Sequence, residues 1–182
     1  MHVASIVIAA GWAVFWIGWL VAAFGMKSGR SNWSRYARAR LLIALVVILA
    51  LRFGARGDHG SVHGTWAMAL GLVLWVAGLG LAVWARMHIG RNWGTPMTEK
   101  DDPELVTTGP YRLIRHPIYS GIILGMVGTA VAVSVYWLVA VALLGLYFVY
   151  SAVVEERTMT KRFPGVYPEY KRSTKMLIPF VF

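Results

Sequence analysis

The feature that most constrains the fold is an uncharged apolar run from Ile118 to Val154. A membrane-spanning helix needs about 20 mostly apolar residues, so this run is too long for one crossing and fits two helices with a tight reversal near Ala132 to Trp137. Three further apolar blocks precede it: Val3 to Met26, Leu41 to Phe53 and Thr65 to Ala85. We therefore predict an all-α integral membrane protein of about five transmembrane helices, whose fourth and fifth spans form a tight helical hairpin.

The composition supports a membrane protein and excludes several other classes. The chain is 58% hydrophobic and 14% charged over 182 residues, which is too apolar for an ordinary soluble domain. Its net charge of +10 more often reflects basic side chains beside anionic lipid headgroups in such a protein, so we expect a lipid bilayer and no nucleic acid as partner. The absence of cysteine excludes disulfides, thiolate zinc sites and a cysteine nucleophile.

The distribution of basic residues predicts the orientation of the chain. With five spans, all Lys and Arg residues except Arg52 and Arg56 fall on one side of the membrane, in the segments Met26 to Arg40 and Arg86 to Pro117 and in the tail after Val154. By the positive-inside rule, the N-terminus is then outside and the C-terminus cytoplasmic. The first block also lacks the positive start of a secretory signal, and its apolar core is longer than that of a signal, so we expect a retained helix.

Several common catalytic motifs are missing from the chain. It contains no G-x-G-x-x-G after a strand, no P-loop and no H-E-x-x-H, so the sequence gives no support to a soluble nucleotide-binding fold or a zinc hydrolase. His59 and His63 are four residues apart in a glycine-rich loop with only Asp58 as a nearby carboxylate. Solvated loop histidines explain this spacing better than a metal site does, and we predict no metal.

A polar stretch, GPYRLIRHPIYSG, precedes the fourth span. Pro117 suits the first turn of a helix, where its missing N–H costs nothing, and this places His116 near the N-cap. Tyr119 then lies in the first turn, at a helix end whose free N–H groups favour a carboxylate or phosphate. A basic and aromatic anchor at the membrane interface is the alternative interpretation.

A second polar stretch begins with Glu155 and Glu156 at the end of the fifth span. Adjacent carboxylates at a helix C-terminus oppose the helix dipole, so they require cationic partners. The hairpin brings them close to Arg112, Arg115 and His116. A structural ion-pair cluster without a ligand is the alternative to a binding site.

In the order of these motifs the chain resembles a known family. The order is LVTTGPYRLIRHPIYSG, a long hydrophobic hairpin, EE and then F-P-G-x-Y-P-E-Y, which is similar to the isoprenylcysteine carboxyl methyltransferase family and the related phospholipid methyltransferases. The resemblance covers roughly Ile89 to Pro179. It implies a cytoplasmic pocket for S-adenosyl-L-methionine as methyl donor and a lipophilic small-molecule acceptor that enters from the bilayer. It also implies a division into N-terminal transmembrane helices 1 to 3 (residues 1–85) and a methyltransferase core (residues 86–182).

Carried over position by position, the resemblance implies a donor pocket formed by Leu105, Val106, Tyr111, His116, Pro117, Ile118, Tyr119 and Glu155. Glu155 would meet the ammonium of the donor's methionine, and His116 or helix N–H groups its carboxylate. Among catalytic residues, Glu156 is the candidate general base for an amine or phenol acceptor.

Two positions depart from the family pattern. In eukaryotic prenylcysteine enzymes an arginine contacts the substrate one helical turn before the glutamate that matches Glu155. Ser151 occupies that position here. The family also usually has a histidine two residues before the Leu105-Val106 pair, and this position is here Pro103. Recognition of an acceptor carboxylate would then require Arg115, Arg172 or another basic residue, so the departures concern prenylcysteine as the substrate and not methyl transfer as the reaction.

Two other functions remain open from the sequence. The sterol reductases carry a similar C-terminal segment and bind NADPH, which makes an NADPH-dependent membrane reductase an alternative. A non-enzymatic membrane scaffold, whose basic face binds anionic lipid, is the third. Both enzymes need an enclosed polar pocket, whereas the scaffold does not. The sequence leaves the oligomeric state open.

Overall fold

Helices make up most of the described part of the chain. The computed structural model describes residues 3–25, 29–31 and 64–181, together with Leu41 and Leu45. The helices are α1 (Val3–Ala23), α2 (Thr65–Ile89), α3 (Pro117–Ala132), α4 (Trp137–Arg162) and α5 (Tyr167–Ser173), with short 3-10 helices at Gly90–Asn92 and Gly109–Arg112. The predicted second span and the loop histidines His59 and His63 lie outside the described residues, apart from Leu41 and Leu45.

Three stretches are long and apolar enough to cross a membrane, namely Val3–Ala23, Thr65–Asn92 and Trp137–Arg162, and Pro117–Ala132 is a shorter apolar helix. The helical membrane class is therefore confirmed, while the count of five spans stays a prediction. Helix α2 continues past residue 85, so the predicted division between residues 85 and 86 falls inside a helix and also stays a prediction.

A small strand pair adds to the helices that the sequence predicted. Strand β1 (Gly29–Ser31) pairs antiparallel with β2 (Thr98–Lys100), and Arg30 is opposite Glu99. The apolar pattern gave no indication of these strands. Their pairing ties the loop after α2 to the segment that follows α1.

Local backbone chemistry sets the ends of the helices. Helix α2 ends at Gly90, whose φ of 53° is readily adopted only by glycine. Helix α3 begins with Pro117 in its first turn and His116 at the N-cap, as predicted. The predicted hairpin is also confirmed, since α3 ends at Ala132 and α4 begins at Trp137.

Helices α2 and α3 pack backbone against backbone through glycines. A Cβ atom added to Gly78 would collide with the backbone of Gly121 and Gly125, and one added to Gly128 would meet the backbone of Gly71. Small residues permit this close approach of helices, which is common in membranes because lipid itself supplies no hydrophobic drive for helix association. The α2–α3 pair is thus the most extensive helix contact in the described part of the chain.

Helix α1 is joined to this centre by aromatic and polar contacts. The Trp12 indole N–H donates to Thr129 Oγ1 at 3.0 Å. At the other end of α1, Arg86 of α2 donates to the carbonyl oxygens of Ala22 at 2.8 Å and Gly90 at 2.7 Å, and its guanidinium lies 4.6 Å from the ring centroid of Trp93. Arg86 therefore links the last turns of α1 and α2 to the loop that follows.

Candidate functional site

A cavity of about 350 Å³ lies at one end of the helices. It is lined by residues from the ends of α2 and α4, the start of α3, the loop between α2 and α3, and α5. Its volume falls in the range of small-molecule pockets, about 300 to 1,000 Å³. Its walls combine apolar and aromatic side chains such as Ile89, Trp93 and Ile118 with a few charged groups.

Most of the residues implied by the family resemblance meet in this cavity. Those that line it are Leu105, Val106, Tyr111, Arg115, His116, Ile118, Tyr119 and Glu155. Pro117 is buried at the start of α3 and does not line the cavity. Glu156 is 2% exposed and does not line the cavity. Arg172 is exposed on α5 and does not line the cavity either.

The carboxylate of Glu155 is held in the cavity by three neighbours. Its Oε1 accepts hydrogen bonds from the Tyr119 hydroxyl at 2.6 Å and the Met97 backbone N–H at 2.9 Å. Its Oε2 lies 3.5 Å from His116 Nδ1. The Tyr119 ring is stacked between His116 and Phe148, with centroids at 5.4 and 4.5 Å. These contacts fix the direction in which Glu155, 26% exposed, presents its charge.

The carboxylate of Glu156 belongs to a buried ion-pair cluster. Its Oε1 accepts from Arg115 Nε at 2.6 Å and its Oε2 is 2.7 Å from Lys171 Nζ. Arg115 also donates to the carbonyl oxygen of Thr174, while His116 Nε2 lies 3.5 Å from Glu156 Oε1. The glutamate pair was predicted to approach Arg112, Arg115 and His116, and this is confirmed for Arg115 and His116. Arg112 is exposed and is not part of this ion-pair cluster. The cluster joins α4 to α5.

His116 lies between the two glutamates and its ionisation depends on both. Burial alone lowers the pKa of the imidazole, but hydrogen bonding to Glu155 and Glu156 outweighs burial and raises the pKa above its usual value. The charged imidazole is therefore favoured beside two carboxylates.

Two tyrosines of the wall remain neutral hydrogen-bonding groups. The Tyr170 hydroxyl donates to the Tyr111 carbonyl oxygen at 2.6 Å. Burial raises the pKa of Tyr170 to about 12 and moves the pKa of Tyr111 well above its usual value. Neither phenol is a base near neutral pH.

The segment after α5 is hydrogen-bonded to the start of α3. The backbone N–H groups of Arg115 and His116 donate to the carbonyl oxygens of Lys175 at 2.8 Å and Met176 at 3.1 Å. The Ser120 hydroxyl donates to the Leu177 carbonyl oxygen at 2.6 Å. The C-terminal segment is thus hydrogen-bonded along the same backbone that presents His116 to the cavity.

Sequence reasoning missed several residues of the cavity wall. Tyr167 and Tyr170 line it, and their signal was present in the F-P-G-x-Y-P-E-Y motif. Trp93 and Met97 also line it, but no spacing or motif pointed to them. Met97 contributes through its backbone N–H and has a φ of 62°, a left-handed conformation uncommon for a residue with a side chain.

The chain matches a known family model over the part that builds this cavity. The model, described as phospholipid methyltransferase, matches residues 66–165. That range contains α2, α3, α4 and the loop that carries Met97 and His116, while α5 lies beyond it.

Curated relatives and a solved structure resemble the chain over most of its length. The cobalt-zinc-cadmium resistance protein CzcN of Cupriavidus metallidurans is 33% identical over 141 residues, which cover 76% of this chain and 61% of that protein. The protein-S-isoprenylcysteine O-methyltransferase B of Arabidopsis thaliana is 27% identical over 150 residues, 80% of this chain and 74% of that protein. The chain thus spans about six tenths of the metal-resistance protein.

A eukaryotic intramembrane Ras methyltransferase, ICMT (isoprenylcysteine carboxyl methyltransferase), shares the fold. Its structure superposes with a TM-score of 0.58 at 22% identity, covering 84% of this chain and 55% of that chain. At this identity the likeness concerns the arrangement of the helices alone.

Proposed function

The chain belongs to the phospholipid methyltransferase family, and from this premise we propose that it is an integral membrane methyltransferase that uses S-adenosylmethionine to methylate a lipophilic acceptor. The membership confirms the resemblance indicated by the RHPIY and EE motifs. The NADPH-dependent reductase and the scaffold are not favoured, because the relatives described above include methyltransferases.

One observation carries the proposal: a directed carboxylate in a cavity with otherwise largely apolar and aromatic walls. Glu155 is fixed by Tyr119 and Met97 and supplies a countercharge for the donor's ammonium group. The walls at Ile89, Trp93 and Leu105 offer apolar surface to an adenine ring. The residues present therefore fit S-adenosylmethionine.

When bound, the donor would supply a methyl group on a positively charged sulfur for in-line displacement by the acceptor. The protein's part in such a displacement is alignment and exclusion of water. We assign the alignment to Glu155, held by the Tyr119 hydroxyl, and the exclusion of water to the loop around Met97, which is 4% exposed.

We reassign the three residues that were predicted from the sequence as catalytic. Glu156 is buried against Arg115 and Lys171 and does not line the cavity, so we propose that it positions His116 and acts as no base on the acceptor. The Arg115 guanidinium is bound to Glu156 and to Thr174, and we propose the same positioning role for it. Arg172 is on the exposed face of α5, and we give it no part in the reaction.

The acceptor site differs from that of prenylcysteine enzymes at Ser151. This residue is fully buried and its hydroxyl donates to the Tyr147 carbonyl oxygen of its own helix at 2.8 Å. A neutral side chain whose hydroxyl is already hydrogen-bonded to its own helix offers no countercharge for an acceptor carboxylate. We therefore propose a lipophilic acceptor without extending the proposal to prenylcysteine.

Calorimetric titration of the detergent-purified protein tests the proposal. S-adenosylhomocysteine should bind saturably, and NADPH in a parallel titration should not. Binding of NADPH alone would move the function to a reductase. Binding of neither ligand by folded protein would favour the scaffold.

A further inference from the structure

The last described residues form an exposed apolar turn, which we call the C-terminal tip (residues 178–181). Ile178 is 54% exposed, Phe180 85% and Val181 71%. The Val181 N–H donates to the Ile178 carbonyl oxygen at 3.2 Å, and Phe180 has a φ of 65°. A left-handed backbone is uncommon for a phenylalanine, and here it presents a large apolar ring to the outside.

The position of the tip is set by hydrogen bonds to the start of helix α3. The Ser120 hydroxyl in the first turn of α3 donates to the Leu177 carbonyl oxygen, immediately before the tip. The Lys175 N–H donates to the Leu113 carbonyl oxygen at 3.2 Å, and the Leu113 side chain is 49% exposed. Because α3 is an apolar helix and the sequence predicts it as a membrane span, we expect its first turn to lie near the membrane interface.

Cations accompany the apolar side chains of the tip. The sequence from Tyr167 to Val181 contains Lys171, Arg172 and Lys175 and one acidic residue, Glu169. Arg172 and Lys175 are exposed, and so is Arg112, the residue before Leu113. Exposed apolar side chains beside exposed cations are typical of segments that lie in the interface of an anionic bilayer.

We propose that the C-terminal tip inserts into the membrane interface, where Phe180 enters the acyl boundary and Arg112, Arg172 and Lys175 bind anionic phospholipid headgroups. A second copy of the chain or another protein would also cover apolar side chains. The charge favours lipid, because the exposed cations Arg112, Arg172 and Lys175 outnumber the one exposed acid of this region, Glu169, and an excess of cations complements a surface of negative charge. The proposal is independent of methyl transfer and gives the exposed Arg172 a role.

An environment-sensitive fluorophore on a single cysteine tests the insertion. The chain has no cysteine, so Phe180→Cys gives one defined label without further changes. Gly165→Cys is the matched control, since a Cβ there meets nothing within 4 Å and the residue lies between α4 and α5. The full chain is placed in nanodiscs of phosphatidylcholine alone, or of equimolar phosphatidylcholine and phosphatidylglycerol.

The label at position 180 should shift to the blue and brighten in the phosphatidylglycerol discs, and the label at position 165 should report water in both. A label at 180 that reports water in both lipids would overturn the insertion. An equally apolar signal in both lipids would overturn the headgroup recognition and point to a protein contact.

Charge removal tests the headgroup contacts separately. In the Phe180→Cys background, Arg172→Gln and Lys175→Gln should each lower the ratio of inserted to withdrawn label by about fivefold, from roughly 1 kcal/mol per cation. Lys161→Gln removes an exposed cation at the end of α4 and should leave the ratio unchanged. Equal effects of all three substitutions would contradict a specific contact and indicate only the net charge of the protein.

Discussion

At the scale of single residues, the two adjacent glutamates have different surroundings. Successive residues of a helix point about 100° apart, so Glu155 faces the cavity while Glu156 faces α5. Glu155 is 26% exposed and accepts hydrogen bonds from Tyr119 and Met97. Glu156 is 2% exposed and ion-paired with Arg115 and Lys171. We therefore expect the first to affect ligand binding and the second to affect stability.

Glu155→Gln should weaken the binding of S-adenosylhomocysteine by about 30-fold or more, since removing one partner of a hydrogen-bonded charge pair costs about 2 kcal/mol or more. Calorimetric titration measures the change. Glu169→Gln, at an exposed position of α5, is the control and should bind as the wild type does. Unchanged affinity in Glu155→Gln would contradict the proposal that Glu155 binds the ammonium group of the donor.

Glu156→Gln should lower the free energy of unfolding by about 3 kcal/mol, because it leaves the buried Arg115 guanidinium without its countercharge. Thermal or denaturant unfolding in detergent measures the loss. Glu155→Gln should cost less stability, since Glu155 is more exposed. If Glu155→Gln lost the stability and Glu156→Gln lost the ligand affinity, the proposed roles of Glu155 in binding and Glu156 in positioning would be wrong.

His116 should make stability dependent on pH. The pKa of His116 is raised in the folded protein. The stabilisation that the charged imidazole contributes is therefore fully present below the pKa of the unfolded chain, about 6.5. It is lost as the pH rises through the pKa of the folded protein. The wild type should therefore exceed His116→Gln in free energy of unfolding by more at a pH just below the pKa of the unfolded chain than at alkaline pH. Unfolding midpoints across this range measure it, and an advantage that grows with pH would have the wrong sign.

At the scale of secondary structure elements, the contact between α2 and α3 has no room for added atoms. Gly78→Ala should destabilise the protein by about 1 to 3 kcal/mol through overpacking, because the new Cβ collides with the backbone of Gly121 and Gly125. Gly80→Ala, two residues along the same helix, meets nothing within 4 Å and should be neutral or stabilising. The free energies of unfolding of both variants test this prediction. Equal losses of stability in the two variants would contradict direct backbone packing of α2 against α3.

The sequence predicted the parts of the site that depend on local signals. Pro117 marks the start of α3, and the uncharged run predicted the hairpin that brings the glutamate pair to Arg115 and His116. It did not predict the hydrogen bond from Met97 to Glu155, because Met97 uses its backbone N–H, which leaves no trace in residue type. Nor could the motif show that Arg172 points outward, since that depends on how α5 docks.

At the scale of the whole molecule, the basic residues predict an external N-terminus and a cytoplasmic site. Gly165→Cys should react with a membrane-impermeant maleimide only after intact cells are permeabilised, because it lies in the tail that the positive-inside rule retains in the cytoplasm. Ser61→Cys, in the loop predicted to be outside, should react in intact cells. The reverse labelling pattern would contradict the predicted orientation.

The central claim is that the cavity holds a methyl donor beside a membrane-dissolved acceptor. The most direct measurement is the transfer of radiolabelled methyl groups from S-adenosylmethionine into the organic extract of membranes that contain the protein. We expect labelled, extractable product with the wild type and with Glu169→Gln, and loss of that product with Glu155→Gln. Transfer that is equal in the wild type and Glu155→Gln, or absent from folded wild-type protein across a range of membrane lipids, would contradict it.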